Sequence, residues 1–162
     1  MKIGVISDTH LSKPTPLLEY VVQTYFSDAE IILHAGDLCK RRVLDVFYGK
    51  TLYVVAGNRD DDEVKKWYPQ RHVIEASGLK IGLIHGWGPP FGLKERIAAC
   101  FSHVDCIVFG HSHRPFVGKK NGTVLFNPGA FCGGLFSLWK RNIGILTLDG
   151  EIRAEVIRIR LP

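Results

Sequence analysis

The chain has 162 residues, 46% of them hydrophobic, and a formal net charge of +5. That length suits one domain, over residues 1–162, with enough chain to bury a core. Residues 1–81 carry 11 basic and 11 acidic side chains and residues 82–162 carry 10 and 5, so the excess charge lies in the second half. Such a bias suits an anionic ligand such as a phosphate ester. Nucleic acid is the weaker alternative, because only Lys40-Arg41-Arg42 forms a basic cluster.

The apolar run before Asp8 is too short for a secretory signal. The uncharged stretch 121–139 is broken by Asn127-Pro128-Gly129 and Gly133-Gly134, so no membrane span is expected. Cys39, Cys100, Cys106 and Cys132 show no Cys-x-x-Cys spacing, which points to reduced thiols in a cytoplasmic protein.

In chain order, residues 2–7 form an apolar strand ending at Asp8-Thr9-His10. Pro14 and Pro16 punctuate a loop, and residues 17–26 then carry apolar side chains at helical spacing. A second strand over 31–33 ends at Ala35-Gly36-Asp37. A helix is predicted over 41–48, closed by Gly49. Residues 52–55 form a third strand, ending at Gly57-Asn58-Arg59-Asp60, and Asp61-Asp62-Glu63 opens a short helix.

Residues 73–76 and 80–84 flank Ser77-Gly78 as a hairpin that runs into His85-Gly86. A helix over 93–101 precedes a strand over 105–109, which feeds Gly110-His111-Ser112-His113. Two more hairpins follow: Phe116–Lys120 with 123–126 around Asn121-Gly122, and 143–148 with 151–159 around Asp149-Gly150. Strand–helix units come first and hairpins afterwards. That order predicts an α/β fold of two mixed sheets packed face to face, with helices outside. No Gly-x-Gly-x-x-Gly follows the first strand, which disfavours a dinucleotide-binding topology.

Five strand ends share one grammar, an apolar run and then a turn bearing metal-ligand types. They carry Asp8 and His10, Asp37, Asn58, His85, and His111 with His113. Ligands of open α/β sheets sit at the carboxyl ends of strands, so these seven side chains are expected to converge. Carboxylate, imidazole and amide oxygen suit borderline divalent ions such as Mn, Fe or Zn, rather than a thiolate site. One Asp could bridge two ions about 3.5–4 Å apart, and such a pair turns a bridging water into the hydroxide nucleophile of a phosphoryl displacement.

With those motifs in place, the chain resembles the calcineurin-like metallophosphoesterase superfamily. Asp-x-His, Gly-Asp, Gly-Asn, a His-bearing turn and Gly-His-x-His occur in family order across residues 8–113. The compact length and Asn127-Pro128-Gly129 are similar to the small single-domain phosphodiesterases of bacteria and archaea. The resemblance implies a four-layer α/β/β/α sandwich and two divalent ions, manganese first, with iron, zinc or nickel as alternatives. It implies Asp8, His10 and His113 on the first ion, Asn58, His85 and His111 on the second, and Asp37 bridging. It assigns catalysis to Asn58, His85 and the position of Arg59. Many family members carry there a His that protonates the leaving oxygen. Arg does not give up its proton near neutrality, so Arg59 is expected instead to neutralise charge on the phosphate or leaving group. Simple alkyl monoesters, whose leaving groups are poor, then become unfavourable substrates.

The expected partner is a small phosphate ester. The alternative is a non-catalytic scaffold, because the chain also resembles the retromer subunit of eukaryotic endosomal coats. That subunit departs from the ligand pattern, which this chain keeps. His34 is expected to support the site rather than to bind, and His72 and His103 to lie on the surface. Asp60 is expected to cap the next helix or hold a neighbouring group. Trp87, Phe91 and the apolar residues of 131–139 are candidates for core packing, a cleft wall or the interface of a homo-oligomer.

Overall fold

The structure, a computed structural model, describes residues 1–132 and 140–160. Alternation along the strands decides the architecture, because successive side chains leave a strand on opposite faces. In β1 (Lys2–Ile6), Ile3 and Val5 join a buried cluster with Leu33, Ile81, Leu83, Val108 and Phe126. Ile6, on the other face, joins Leu18, Val21, Phe26 and Ile32.

The first sheet adds β2 (Ile31–His34), β3 (Thr51–Val54), β9 (Asn142–Leu148) and β10 (Ile152–Arg158) to β1. Its order is β10-β9-β1-β2-β3. β1, β2 and β3 run parallel, with Val5 beside Leu33 and Leu33 beside Tyr53, and β9 is antiparallel to β1. The second sheet holds β4 (Arg71–Ala76), β5 (Leu79–Ile84), β6 (Cys106–Phe109), β7 (Phe116–Lys120) and β8 (Thr123–Asn127). Its order is β4-β5-β6-β8-β7, with β5, β6 and β8 parallel.

The cluster that contains Ile3 and Val5 is the seam between the sheets, drawing Ile74, Cys106 and Val124 from the second one. Outside the first sheet lie α1 (Pro16–Tyr25) and α2 (Asp62–Trp67), whose Leu18, Val21 and Val64 pack into the Ile6 cluster. Outside the second lies α3 (Leu93–Ala98), whose Leu93 and Ile97 meet Ile84, Ile107, Phe109 and Leu125. The chain is the predicted α/β/β/α sandwich. Among the described residues, no helix is long and apolar enough to cross a membrane.

Two helices depart from expectation. The segment predicted as a helix over 41–48 is the 3₁₀ helix Arg41–Phe47, and no side chain at its Lys40 N-cap bonds its free N–H groups. A short, uncapped run cannot offset the cost of nucleating an α-helix, and the tighter turn results. The helix predicted to reach residue 101 stops at Ala98. Beyond it Cys100 N bonds Ile97 O and Phe101 N bonds Ala98 O, the i→i−3 pattern by which a last turn tightens and ends. Of the apolar 131–139 segment, Phe131 is buried in the core, whereas Leu135, Phe136, Leu138 and Trp139 lie outside the described residues.

Candidate metal centre

Parallel strands deliver their C-terminal turns to one edge, and hydrogen bonds lock those turns together. Asp8 N donates to Gly36 O at 3.0 Å and His10 N to Asp37 O at 3.0 Å, so the turns after β1 and β2 run side by side. The Asp60 carboxylate, 3% exposed, accepts from Asp37 N (3.1 Å), Gly57 N (2.7 Å) and Cys39 N (2.6 Å). It ties the β2 turn to the β3 turn, while Asp61 caps α2 through Val64 N. At Gly57 a Cβ would overlap Asp37 Oδ1, so only glycine lets the two turns approach this closely.

Asn127, fully buried at the end of β8, holds the Gly110–His113 turn. Its Nδ2 donates to Gly110 O at 2.8 Å and Ser112 Oγ at 3.2 Å, and its Oδ1 accepts from Gly129 N. Its partners lie 15 and 17 residues away in sequence, so no local pattern announces this task. His34 supports the turns as expected: Gly36 N–H donates to its Nδ1, which leaves Nε2–H to donate to Thr9 Oγ1 at 3.2 Å. Asp8, His10, Asp37, His111 and His113 all have φ between 49° and 68°. Non-glycine residues occupy that left-handed region at a cost, and such strain persists where surrounding bonds over-determine it, commonly at functional sites.

All seven candidate ligands converge. On one side Asp8 Oδ1 lies 3.2 Å from His113 Nε2, and His113 Nε2 lies 3.3 Å from His10 Nε2. On the other, Asn58 Oδ1 lies 3.3 Å from His85 Nε2 and 3.0 Å from His111 Nδ1. Asp37 stands between, its Oδ2 3.7 Å from His10 Nε2 and 3.4 Å from His85 Nε2. Its Oδ1 accepts from the backbone N–H of Arg59, whose side chain is exposed. Backbone carbonyls turn one nitrogen of each ring inward. His85 Nδ1–H donates to Ala35 O at 2.7 Å and His111 Nε2–H to Gly88 O at 2.7 Å, so His85 Nε2, once its proton is displaced by a cation, and His111 Nδ1 face the centre.

A cation fits this arrangement. Asp8 Oδ1 is buried and has no well-directed hydrogen bond, a costly state for a carboxylate oxygen. Ligand atoms of Asp8, His10 and Asp37 lie within 4.8 Å of one another. Beside the Asn58–His85 half opens a cleft of about 840 Å³, walled by Trp87 and flanked by Lys65 and Arg71. Trp87 is therefore a cleft wall. His72 lies against the Tyr53 ring and His103 is exposed, both away from this constellation.

Burial opposes charge on both Asp37 and His85, yet their mutual contact wins. It brings Asp37 down to about 2 and lifts His85 to about 9. Burial drives His34 down to about 4. The two histidines act on stability in opposite senses. An unfolded chain protonates His34 near pH 6.5 and the folded chain only near 4, so stability falls as pH drops through that window. His85 stabilises fully below 6.5 and loses that contribution as pH rises to about 9. Metal-free protein is expected to be most stable near pH 6.5, losing at most about 1.4 kcal/mol per pH unit per group on either side. Urea midpoints measured from pH 4 to 9 check this; a flat profile would contradict both assignments.

The sequence profile of the calcineurin-like phosphoesterase superfamily domain matches residues 1–151. The chain belongs to that superfamily. A probable metallophosphoesterase of Methanothermobacter thermautotrophicus is 33% identical over 100% of this chain and 95% of its own length. Among solved structures, an archaeal phosphodiesterase superposes with a TM-score of 0.78 at 24% identity, covering 98% of this chain and 100% of that one. Wild-type Vps29 of Entamoeba histolytica, complexed with zinc, gives 0.71 at 22% identity, covering 98% and 99%. Both structures share the sandwich described above. Superfamily membership makes this chain a phosphoesterase by kinship, with side-chain groups that could hold a metal ion.

Proposed function

We propose that the protein is a phosphodiesterase dependent on two divalent ions, acting on small or nucleotide-like esters. The observation that carries this reading is the position of Asp37 Oδ2 between two sets of inward-facing donors. Asp8, His10 and His113 would hold one ion, Asn58, His85 and His111 the other, and Asp37 both. Manganese heads the expected ions, with iron, zinc and nickel served by the same donors. When bound, the ions supply Lewis-acid stabilisation and water activation.

The chain's own residues position and neutralise. Ala35 O and Gly88 O fix the His85 and His111 rings, so neither needs to reorganise during the reaction. Arg59, whose backbone N–H meets Asp37, offers a permanent charge but no transferable proton. The leaving oxygen then departs without a strong acid, which favours activated diesters over alkyl monoesters. Lys65 and Arg71 place further positive charge along the cleft.

Initial rates on bis(para-nitrophenyl) phosphate and para-nitrophenyl phosphate, with Mn²⁺ or with chelator, test the proposal. The expected result is metal-dependent turnover with the diester faster. Chelator-insensitive rates, or preference for the monoester, would count against it. The scaffold reading draws on the fold shared with Vps29. Turnover decides between the two, since a stoichiometric protein partner with no activity on any ester would favour the scaffold.

A further inference from the structure

We propose that Cys132 supplies a thiolate to the first half of the metal centre, biasing that half toward thiophilic ions such as Zn²⁺, Fe²⁺ or Co²⁺. The inference rests on the metal reading above. The Cys132 sulfur and one ring nitrogen each of His10 and His113 lie within 4.8 Å of one another. Bond lengths of about 2.0–2.3 Å put tetrahedral donors about 3.3–3.8 Å apart. A small contraction around an ion would therefore complete the set.

Backbone pairing places the thiol there. Phe131 N donates to Ser7 O at 3.0 Å and Cys132 N to Asp8 O at 3.1 Å, so Cys132 runs alongside the turn that carries Asp8 and His10. Phe131, 2% exposed, anchors the segment in the core. An independent feature points to the same spot. The buried Asp8 Oδ1, without a well-directed hydrogen bond, lies 3.2 Å from His113 Nε2 and 3.9 Å from His10 Nε2. Asp8 and Cys132 thus flank the same two imidazoles, one offering an oxygen and the other a sulfur.

The other cysteine nearby is placed differently. Cys39 Sγ lies 3.7 Å from His10 Nδ1, the ring nitrogen remote from Asp8 and His113, so it orients the ring. Among the described residues, no cysteine groups with His85 or His111 in the second half. The two halves thus differ in softness, and soft ligands select thiophilic metals. Burial holds the thiol near 11 in the absence of metal, so binding must release its proton.

Titrating metal-free protein with Co²⁺ under anaerobic conditions tests the assignment, because thiolate–cobalt bonds give a near-ultraviolet charge-transfer band. The expected band appears in wild type, survives Cys39→Ser, and disappears in Cys132→Ser while two cobalt ions still bind. Zn²⁺ affinity of Cys132→Ser should fall at least about tenfold, the lower bound for losing contacts that merely orient a ligand, with Mn²⁺ affinity little changed. A band retained in Cys132→Ser, or absent from wild type carrying two cobalt ions, overturns the proposal. Failure of wild type to bind any cobalt sinks the metal reading itself, a distinguishable result. Should Cys132→Ser fail to fold, alkylation of the wild-type chain decides. Bound Zn²⁺ must slow iodoacetamide modification at Cys132, read by peptide mass spectrometry, and equal rates with and without Zn²⁺ reject the bond.

Discussion

Asp37→Ala is expected to lower kcat/KM on a chromogenic phosphodiester at least about 10³-fold and to abolish thermal stabilisation by added metal. Loss of one well-placed electrostatic group at a reacting centre costs about 10²–10³-fold. Asp37 stands at the upper end because a single oxygen faces both His10 and His85, at 3.7 and 3.4 Å. Removing it weakens both halves, whereas His10→Ala weakens one. In wild type, metal at about 100 times its Kd adds about 2.7 kcal/mol, which raises Tm by about 5–10 °C in a chain of this size. The shift should vanish in Asp37→Ala and persist in part in His10→Ala. Metal-free stability should fall as well. The substitution removes the contact that lifts His85 to about 9 and the bond from Arg59 N, offset only in part by relief of repulsion from the neighbouring Asp60 carboxylate. Scanning calorimetry with and without Mn²⁺ measures all three chains, and an Asp37→Ala protein that keeps the full shift would remove Asp37 from the centre.

The sequence makes the sheets and strand ends legible because both are local signals. Apolar runs such as residues 105–109 and the turn residues after them are contiguous, so the seven candidate ligands can be read without any contact map. The bonds that hold them in place are another matter. Asn127 acts on Gly110 across 17 residues, and Cys132 pairs with Asp8 almost at the other end of the chain. Nothing in their neighbourhoods announces those partners. In sequence Asn127 reads as a chain breaker and Cys132 as one more buried thiol. His34 sits inside β2, where an inward polar residue is unusual, and that anomaly does signal its supporting task. Helix ends are less legible, because periodicity marks an apolar face but not the hydrogen bonds that close it, as at Ala98.

Strain and close approach together explain why the motifs carry glycines. Five ligand residues occupy positive φ, each in a turn that the adjoining turn braces. A brace works only if backbones approach closely, and a Cβ at the contact point would push the ligand aside. Gly57 meets the Asp37 carboxylate, and Gly110 meets Ser7 and Asp8. The glycines belong to the site as much as the ligands do.

Gly110→Ala should therefore damage both stability and activity without touching any ligand atom chemically. A Cβ there would overlap Ser7 Oγ and stand 2.9 Å from Asp8 Oδ2 and 3.0 Å from Ala35 O. Ser7 is fully buried and cannot swing away, since its hydroxyl donates to Asp8 Oδ2 at 2.6 Å. Overpacking of this kind costs about 1–3 kcal/mol, and loss of the Ser7 hydrogen bond to a charged acceptor about 1.5–3 kcal/mol more. A fall in Tm of about 5–20 °C follows for a chain of this size. Relaxation must move Asp8, His111 or both, and a displacement of about 1 Å at a reacting centre costs about 10²-fold in rate. The double variant Ser7→Ala with Gly110→Ala separates the causes, because it removes the overlapped Oγ and leaves the backbone contact with Ala35. It should recover part of the stability and little of the activity, giving a non-additive cycle. Additive losses would mean that Gly110 is required by the turn after β6 itself and not by the packing of that turn against Asp8.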